Sequence, residues 1–170
     1  MTHVPVQPLS CERFQRYGQF RDLVSLEGNE CIGASPITFY RDMLRIAGPG
    51  NGPASASICL VEPRERLVDV LECHDHTDET ILPLDGDLLV HFAPATADGR
   101  PPMDRLEAFL VPMGTLVVIR PGVWHHAGFC RGDKPVRFLV ILPERTYRND
   151  CTVCPVPADE QVRVGEDTAE

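Results

Sequence analysis

Two short segments of this chain carry the residue types that bind metal ions. The first contains His74, His76 and Glu79, and the second places His125 three residues after Gly122. Three imidazoles and one carboxylate can hold a divalent ion and leave coordination positions open for water or a substrate. If the two segments meet in space, the sequence predicts a small metal-dependent enzyme or binding protein.

Strand alternation predicts how the first segment presents its side chains. In an unbroken strand, alternate residues share one face, so we expect both His74 and His76 to point into the interior. Glu79 has the opposite parity and joins them only if residues 77–78 form a turn or bulge. Buried imidazoles without partners are costly, which favours a metal site over a purely structural role. The role of Glu79 stays open between metal ligand and catalytic base.

Length and charge exclude several classes of protein. The chain has 170 residues, of which 43% are hydrophobic, and this suits one domain with a real core. Its net charge is -9 and Lys134 is its one lysine, so we expect no nucleic-acid partner. No apolar run approaches the roughly 18 residues of a membrane span, and the first residues carry no export signal. We therefore expect a cytoplasmic protein with no membrane partner.

The seven cysteines are irregularly spaced, which is typical of reduced thiols in a chain without an export signal. Cys151 and Cys154 form a CxxC pair that has no second pair to complete a zinc site, and its role stays open.

The elements that must position the two segments are mostly strands. Ser10 as N-cap and Gly18 as stop predict one short helix near the start. Short apolar or alternating runs separated by turn residues predict seven strands, at residues 57–61, 67–74, 80–84, 88–92, 106–111, 115–119 and 136–142. This series is typical of an all-β barrel or sandwich.

Two segments lie outside this series of strands. Residues 48–53 are rich in glycine and proline and predict a loop, either at a barrel rim or as a lid. Residues 155–170 turn acidic, so we expect a single domain over residues 1–154 followed by a loosely held acidic tail.

The two segments resemble the motifs of the cupin superfamily. His74, His76, Glu79 and Gly86 follow its first motif, and the turn before His125 follows its second. The resemblance covers roughly residues 57–142. It implies a double-stranded β-helix, the jelly-roll barrel, which would bring His125 across to the first segment.

Cupin barrels commonly pair through their outer sheets, so the resemblance also implies a homodimer. Leu67, Leu71 and Cys73, which we expect to face outward, are consistent with such an interface.

A narrower resemblance spans most of the chain. Residues 8–18 are similar to the opening of the ureidoglycolate lyase family, and its LERH, IPMKG, VWHH and DNC segments resemble residues 71–74, 83–86, 123–126 and 149–151. Members of that family are cupin-fold enzymes of purine breakdown that split ureidoglycolate into glyoxylate and urea.

The chain also departs from that family. It has His76 where an apolar residue is usual, Glu79 in place of Gln, Asp85 in place of Lys, and Phe39 in place of Arg, with Arg41 nearby. These changes add metal ligands and remove positive charge that could hold a carboxylate.

Together these features predict a metal-dependent lyase acting on ureidoglycolate or a related small hydroxy or ureido acid. The expected ligands of its divalent ion, which is Zn, Mn, Fe or Ni, are His74, His76, Glu79 and His125. Glu79 is the candidate catalytic group, and the candidates for substrate binding are Arg41, Trp124 and Arg145. Two alternatives remain, namely a metal-dependent cupin dioxygenase or isomerase and a non-enzymatic cupin that binds a small molecule.

Overall fold

The computed structural model describes residues 2–47 and 53–167, with side chains to residue 165. The loop expected at residues 48–53 therefore lies almost entirely outside the described residues. The strands are β1 (Thr2–Pro8), β2 (Gly18–Asp22), β3 (Cys31–Ala34), β4 (Ile37–Tyr40), β5 (Ala54–Val61), β6 (Leu67–Val68), β7 (Val70–Cys73), β8 (Glu79–Pro83), β9 (Leu88–Ala93), β10 (Glu107–Val111), β11 (Thr115–Ile119), β12 (Trp124–His125), β13 (Phe129–Cys130), β14 (Val136–Pro143), β15 (Thr152–Pro155) and β16 (Val162–Asp167). The helices are α1 (Cys11–Phe14), α2 (Thr146–Asn149) and a 3-10 turn at Met103–Arg105.

The strands form two large sheets, and the all-β cupin-type barrel expected from the sequence is confirmed. One sheet has the order β15-β7-β12-β9-β10-β1-β16-β6, with β13 beside β9, and the other has the order β2-β11-β8-β14-β5. Six of the seven predicted strands are present as single strands, and the seventh, residues 67–74, is divided into β6 and β7. The candidate site draws on both sheets, because His74 follows β7 and His125 lies in β12 of the first sheet, whereas Glu79 begins β8 of the second.

Aromatic side chains from both sheets and from α1 form part of the buried core. Phe14 on α1 makes edge contacts with Phe92 and Phe109, at centroid distances of 5.3 and 5.5 Å. The Ser10 side chain caps α1 as predicted, by accepting a hydrogen bond from the Arg13 N–H. This buried cluster packs directly beside the candidate site, because Phe92 is the cross-strand partner of His125.

The end of the chain is not the loosely held tail that its composition suggested. β16 pairs with both β1 and β6, and Val156, Val162 and Val164 are buried in a hydrophobic cluster with Leu71, Cys73 and Trp124, which we call the outer layer. Valines alternate with polar residues here, so one face of the strand is apolar although the segment as a whole is acidic. The expected tail is therefore wrong up to residue 167, and residues 168–170 lie outside the described part of the chain.

This outer layer also changes the argument for a homodimer. Leu71 and Cys73 are buried within the outer layer and offer no surface to a second copy, whereas Leu67 is half-buried. Side chains that do leave apolar surface exposed include Ile37 and Phe39 on the β3–β4 hairpin and Ile58 on β5. The homodimer stays a prediction.

Within residues 2–47 and 53–167, no helix is both long and apolar enough to cross a membrane. The cytoplasmic location stays a prediction.

Candidate active site

The first segment divides at the end of β7. That strand stops at Cys73, and the His74 ring turns inward while a bend follows at residues 75–76. The His74 side chain is 5% exposed, whereas the His76 side chain is 85% exposed and its Nδ1 lies 3.0 Å from Asp150 Oδ1. The prediction that His76 shares a face with His74 and binds the same metal ion is therefore wrong, because the strand does not continue through it.

A glycine turn attaches the second segment to the first. Gly122 has φ +76°, a left-handed conformation that favours glycine, and its N–H donates to the His74 carbonyl oxygen at 2.7 Å. In β12, His125 lies opposite Glu72 of β7. The two segments therefore meet as the sequence predicted, and the His125 side chain is 5% exposed.

Glu79, the first residue of β8, joins the two imidazoles. Its Oε2 lies 2.8 Å from His125 Nε2 and 3.1 Å from His74 Nε2. On the other side of each ring, Nδ1 donates to a backbone carbonyl, that of Asp150 at 2.6 Å for His74 and that of Val123 at 2.8 Å for His125. These bonds fix both rings so that Nε2 faces the carboxylate.

The hydrogen bonds also set the charges of this cluster. Burial alone would raise the pKa of Glu79, but the charges and hydrogen bonds of His125 and His74 outweigh it and hold the pKa at about 2. Burial lowers the pKa of each imidazole, yet contact with the Glu79 carboxylate raises it overall. A metal ion bound at both Nε2 atoms would take the place of the protons that hydrogen-bond to the carboxylate.

The donor set fits a divalent metal ion. The metal-binding atoms of Glu72, His74 and His125 all lie within 4.8 Å of one another, and Glu79 is in contact with both histidines. Neighbouring ligands of an octahedral ion with bonds of about 2.1 Å are separated by about 3 Å, close to the distances from Glu79 to the imidazoles. Imidazole nitrogens with carboxylate oxygens suit Zn, Mn, Fe or Ni.

Glu72 is the functional candidate that the sequence reasoning missed. Its carboxylate borders the cavity and accepts a hydrogen bond from Cys151 Sγ at 3.3 Å. Burial and this hydrogen bond to Glu72 raise the pKa of the Cys151 thiol to about 12, so Cys151 acts as a neutral donor. Strand alternation could have found Glu72, because it precedes His74 by two residues and shares its face.

The three residues predicted to bind substrate lie away from this site. Arg41 is exposed and pairs with Glu30, and Arg145 is exposed beside Glu144. Trp124 is buried in the outer layer because it precedes His125 in a strand and points the opposite way. The structure brings none of the three to the cavity, which corrects the prediction.

The cluster opens into a cavity of about 180 Å³ between the sheets. Its polar lining includes Glu72, His74, Glu79 and His125, and its apolar lining includes Ile81, Leu88, Val90, Ile119, Phe138 and Val140. The arrangement can bind a cation and an oxygen-rich small molecule at one end and exclude water at the other.

Comparisons with known proteins point to one family and agree with the fold. The family model described as ureidoglycolate lyase matches residues 1–164. The ureidoglycolate lyase of Rhodobacter capsulatus is 30% identical over 129 residues, covering 74% of this chain and 77% of that protein. A relative from Agrobacterium fabrum, provisionally named for the same activity, is 30% identical over 132 residues, covering 74% of each chain.

Among solved structures, a dTDP sugar isomerase from Desulfovibrio desulfuricans G20 is similar in fold. It has a TM-score of 0.53 and 19% sequence identity, and the match covers 84% of this chain and 87% of that one. At this identity the similarity supports the fold alone.

Proposed function

This chain belongs to the ureidoglycolate lyase family and is an enzyme, a lyase, and on that premise we propose that it cleaves ureidoglycolate, or a related small hydroxy or ureido acid, with a bound divalent metal ion. The observation that carries the proposal is the contact of Glu79 with the Nε2 atoms of both His74 and His125 at the wall of a cavity. The products from ureidoglycolate would be glyoxylate and urea.

His74, His125 and Glu79 are the proposed ligands. A divalent cation held there would act as a Lewis acid toward the hydroxyl and carboxylate oxygens of a 2-hydroxy acid and lower the cost of removing the hydroxyl proton. The backbone carbonyls of Val123 and Asp150 keep the imidazoles oriented for this role, because each accepts the Nδ1 proton of one ring.

Glu72 is the proposed general base. Glu79 is held by both imidazoles, whereas the Glu72 carboxylate borders the cavity and its one neighbouring donor is the Cys151 thiol among the contacts described. Glu72 takes the hydroxyl proton, and the electron pair of that O–H bond forms the carbonyl of glyoxylate while the carbon–nitrogen bond breaks. The departing nitrogen takes the electron pair of the broken bond and receives the proton back from Glu72, which yields urea.

Glyoxylate release from ureidoglycolate tests the proposal. We expect release by protein loaded with Zn, Mn, Fe or Ni, and a fall to the uncatalysed rate after a chelator removes the ion. The His76→Ala variant is a matched control, because it removes an imidazole that lies outside the cluster and should leave the rate unchanged. Absence of release with every ion, or full activity in the chelated protein, would contradict the proposal.

A further inference from the structure

We infer that the cavity prefers substrates whose arm beyond the amide carbonyl is apolar, namely N-acyl-2-hydroxyglycines with a short alkyl or aryl acyl group. These compounds share with ureidoglycolate the hydroxyl, the carboxylate and the carbon–nitrogen bond that breaks, and they differ in the group on the carbonyl. The inference rests on the proposed function and names the substrate class of the same site.

Strand register places apolar side chains directly beyond the reacting groups on the smaller sheet. Ile81 follows Glu79 by two residues in β8 and shares its face, so it lies about 7 Å further along the barrel. Val140 of β14 is opposite Ile81, and both side chains line the cavity. The arm of a substrate that reaches past Glu79 on this side therefore meets branched aliphatic carbon.

The larger sheet repeats this arrangement. His125 lies opposite Phe92 of β9, and Val90 and Leu88, two and four residues before Phe92 in that strand, line the cavity. Both sheets thus change from polar to apolar lining in the same direction. The cavity has room for on the order of a dozen water-sized groups, enough for the reacting core and a short acyl arm.

The terminal NH2 of ureidoglycolate is poorly matched to this end. Ile81, Leu88, Val90 and Val140 offer it no hydrogen-bond acceptor, and a polar group taken out of water without a partner weakens binding. Among the described residues, no arginine or lysine lines the cavity. An alkyl group in place of the NH2 group would gain affinity by leaving water, by a factor of about four for each buried methylene.

The reaction on such a substrate balances as it does for ureidoglycolate. Glu72 accepts the hydroxyl proton, the oxygen electron pair forms the carbonyl of glyoxylate, and the carbon–nitrogen bond breaks. The nitrogen takes that bond's electron pair and receives the proton, which releases a primary amide in place of urea.

Binding of two unreactive analogues tests the inference. N-carbamoylglycine and N-butyrylglycine lack the 2-hydroxyl group and differ in the arm alone, so calorimetry on the metal-loaded protein isolates the contribution of the arm. We expect N-butyrylglycine to bind at least tenfold more tightly. Equal affinities, or tighter binding of N-carbamoylglycine, would overturn the inference.

Adjacent residues of β14 supply a matched pair of variants. Val140→Asn places an amide in the apolar end and should reduce the preference for N-butyrylglycine to less than threefold. Leu139→Asn makes the same kind of change on the face of β14 that points away from the cavity, where Leu139 is paired with Ile58 of β5. This variant should retain the preference. If both variants keep the preference, the assignment of Val140 to the acyl site is wrong. The comparison in the unmodified protein stands even if a variant does not fold.

Glyoxylate release separates this inference from the proposed function. Faster turnover of N-butyryl-2-hydroxyglycine than of ureidoglycolate, by tenfold or more in kcat/KM, would support both. Efficient release from ureidoglycolate without a binding preference for N-butyrylglycine would overturn the inference alone. A clear binding preference with no release from either substrate would overturn the proposed function and leave the apolar subsite supported.

Discussion

The cavity has two ends that are built on the same strands and held in different ways. At the polar end, hydrogen bonds to Glu79 and to backbone carbonyls fix the rings of His74 and His125. At the apolar end, side chains such as Ile81 and Val90 are positioned by packing, without directional bonds. Directional contacts tolerate little change, whereas packing tolerates substitutions that conserve volume. In the proposed function the polar end carries out the reaction, and in the further inference the apolar end selects the substrate.

The largest effect should follow from removing one imidazole at the polar end. We expect His125→Ala to lower kcat/KM for glyoxylate release by at least about 10⁴-fold, because a metal ligand and the partner of Glu79 are both lost. Steady-state assays at saturating metal measure this. The kcat/KM of His76→Ala should stay within about twofold of that of the unmodified protein. An equal loss in both variants would mean that His76 also belongs to the polar end.

Replacement of the proposed base, Glu72, should reduce catalysis and leave the metal ion bound. Glu72→Gln should lower kcat by about 10³-fold, because the amide cannot take up the hydroxyl proton. Metal analysis of the same preparation should show unchanged occupancy, and Glu62→Gln, at an exposed acid, serves as the control. Loss of the metal ion from Glu72→Gln would make this residue a ligand instead of the base.

The residues of the polar end could largely be predicted from the sequence. His74, Glu79 and His125 were identified from residue type and spacing, and the structure brings them together. The sequence also indicated the turn that positions His125, because Gly122 follows a proline. The structure shows Gly122 in a left-handed conformation there.

His76 shows why the rest of the site could not be predicted from the sequence. Strand alternation assumed that β7 continues through it, but the Asp150 carboxylate accepts hydrogen bonds from the backbone N–H groups of Asp75 and His76 and holds the bend after β7. That contact joins residues 75 positions apart, so no local pattern predicts it. The positions of Arg41 and Arg145 likewise depend on the tertiary structure, which no local sequence pattern predicts.

At the apolar end, a cavity-enlarging change should affect stability and leave the metal site intact. Leu88 is fully buried and lines the cavity, so Leu88→Ala should destabilise the protein by about 2 kcal/mol, near the low end for buried leucines because the side chain already borders open space. Thermal unfolding should show a decrease of about 4–8 °C. Metal affinity should not change. Leu60→Ala, at an exposed position on β5, should have little effect, and equal destabilisation by both variants would contradict the assigned packing.

The smallest effect is a pH dependence of the metal-free protein. The pKa values of His74 and His125 are raised by Glu79, so their stabilising contribution is present below their unfolded value near 6.5 and is lost as pH rises through the raised values. Burial lowers the pKa values of His91 and His126, and their effect on stability is confined below about pH 6.5. The unfolding temperature should therefore fall as the pH rises above about 6.5.

Glu79→Gln is the control for this pH dependence. The variant lacks the carboxylate that raises both pKa values, so it should show a shallower fall over the same range. An identical slope in the variant would mean that other groups cause the dependence.

Calorimetric titration of the chelator-treated protein with Zn²⁺ tests the central claim, that His74, His125 and Glu79 hold a metal ion, most directly. We predict one ion per chain for the unmodified protein and for His76→Ala, and loss of that site in His125→Ala and in Glu79→Gln. Failure of the unmodified protein to bind Zn²⁺ or any of Mn²⁺, Fe²⁺ and Ni²⁺, or equal binding in all four proteins, would contradict it.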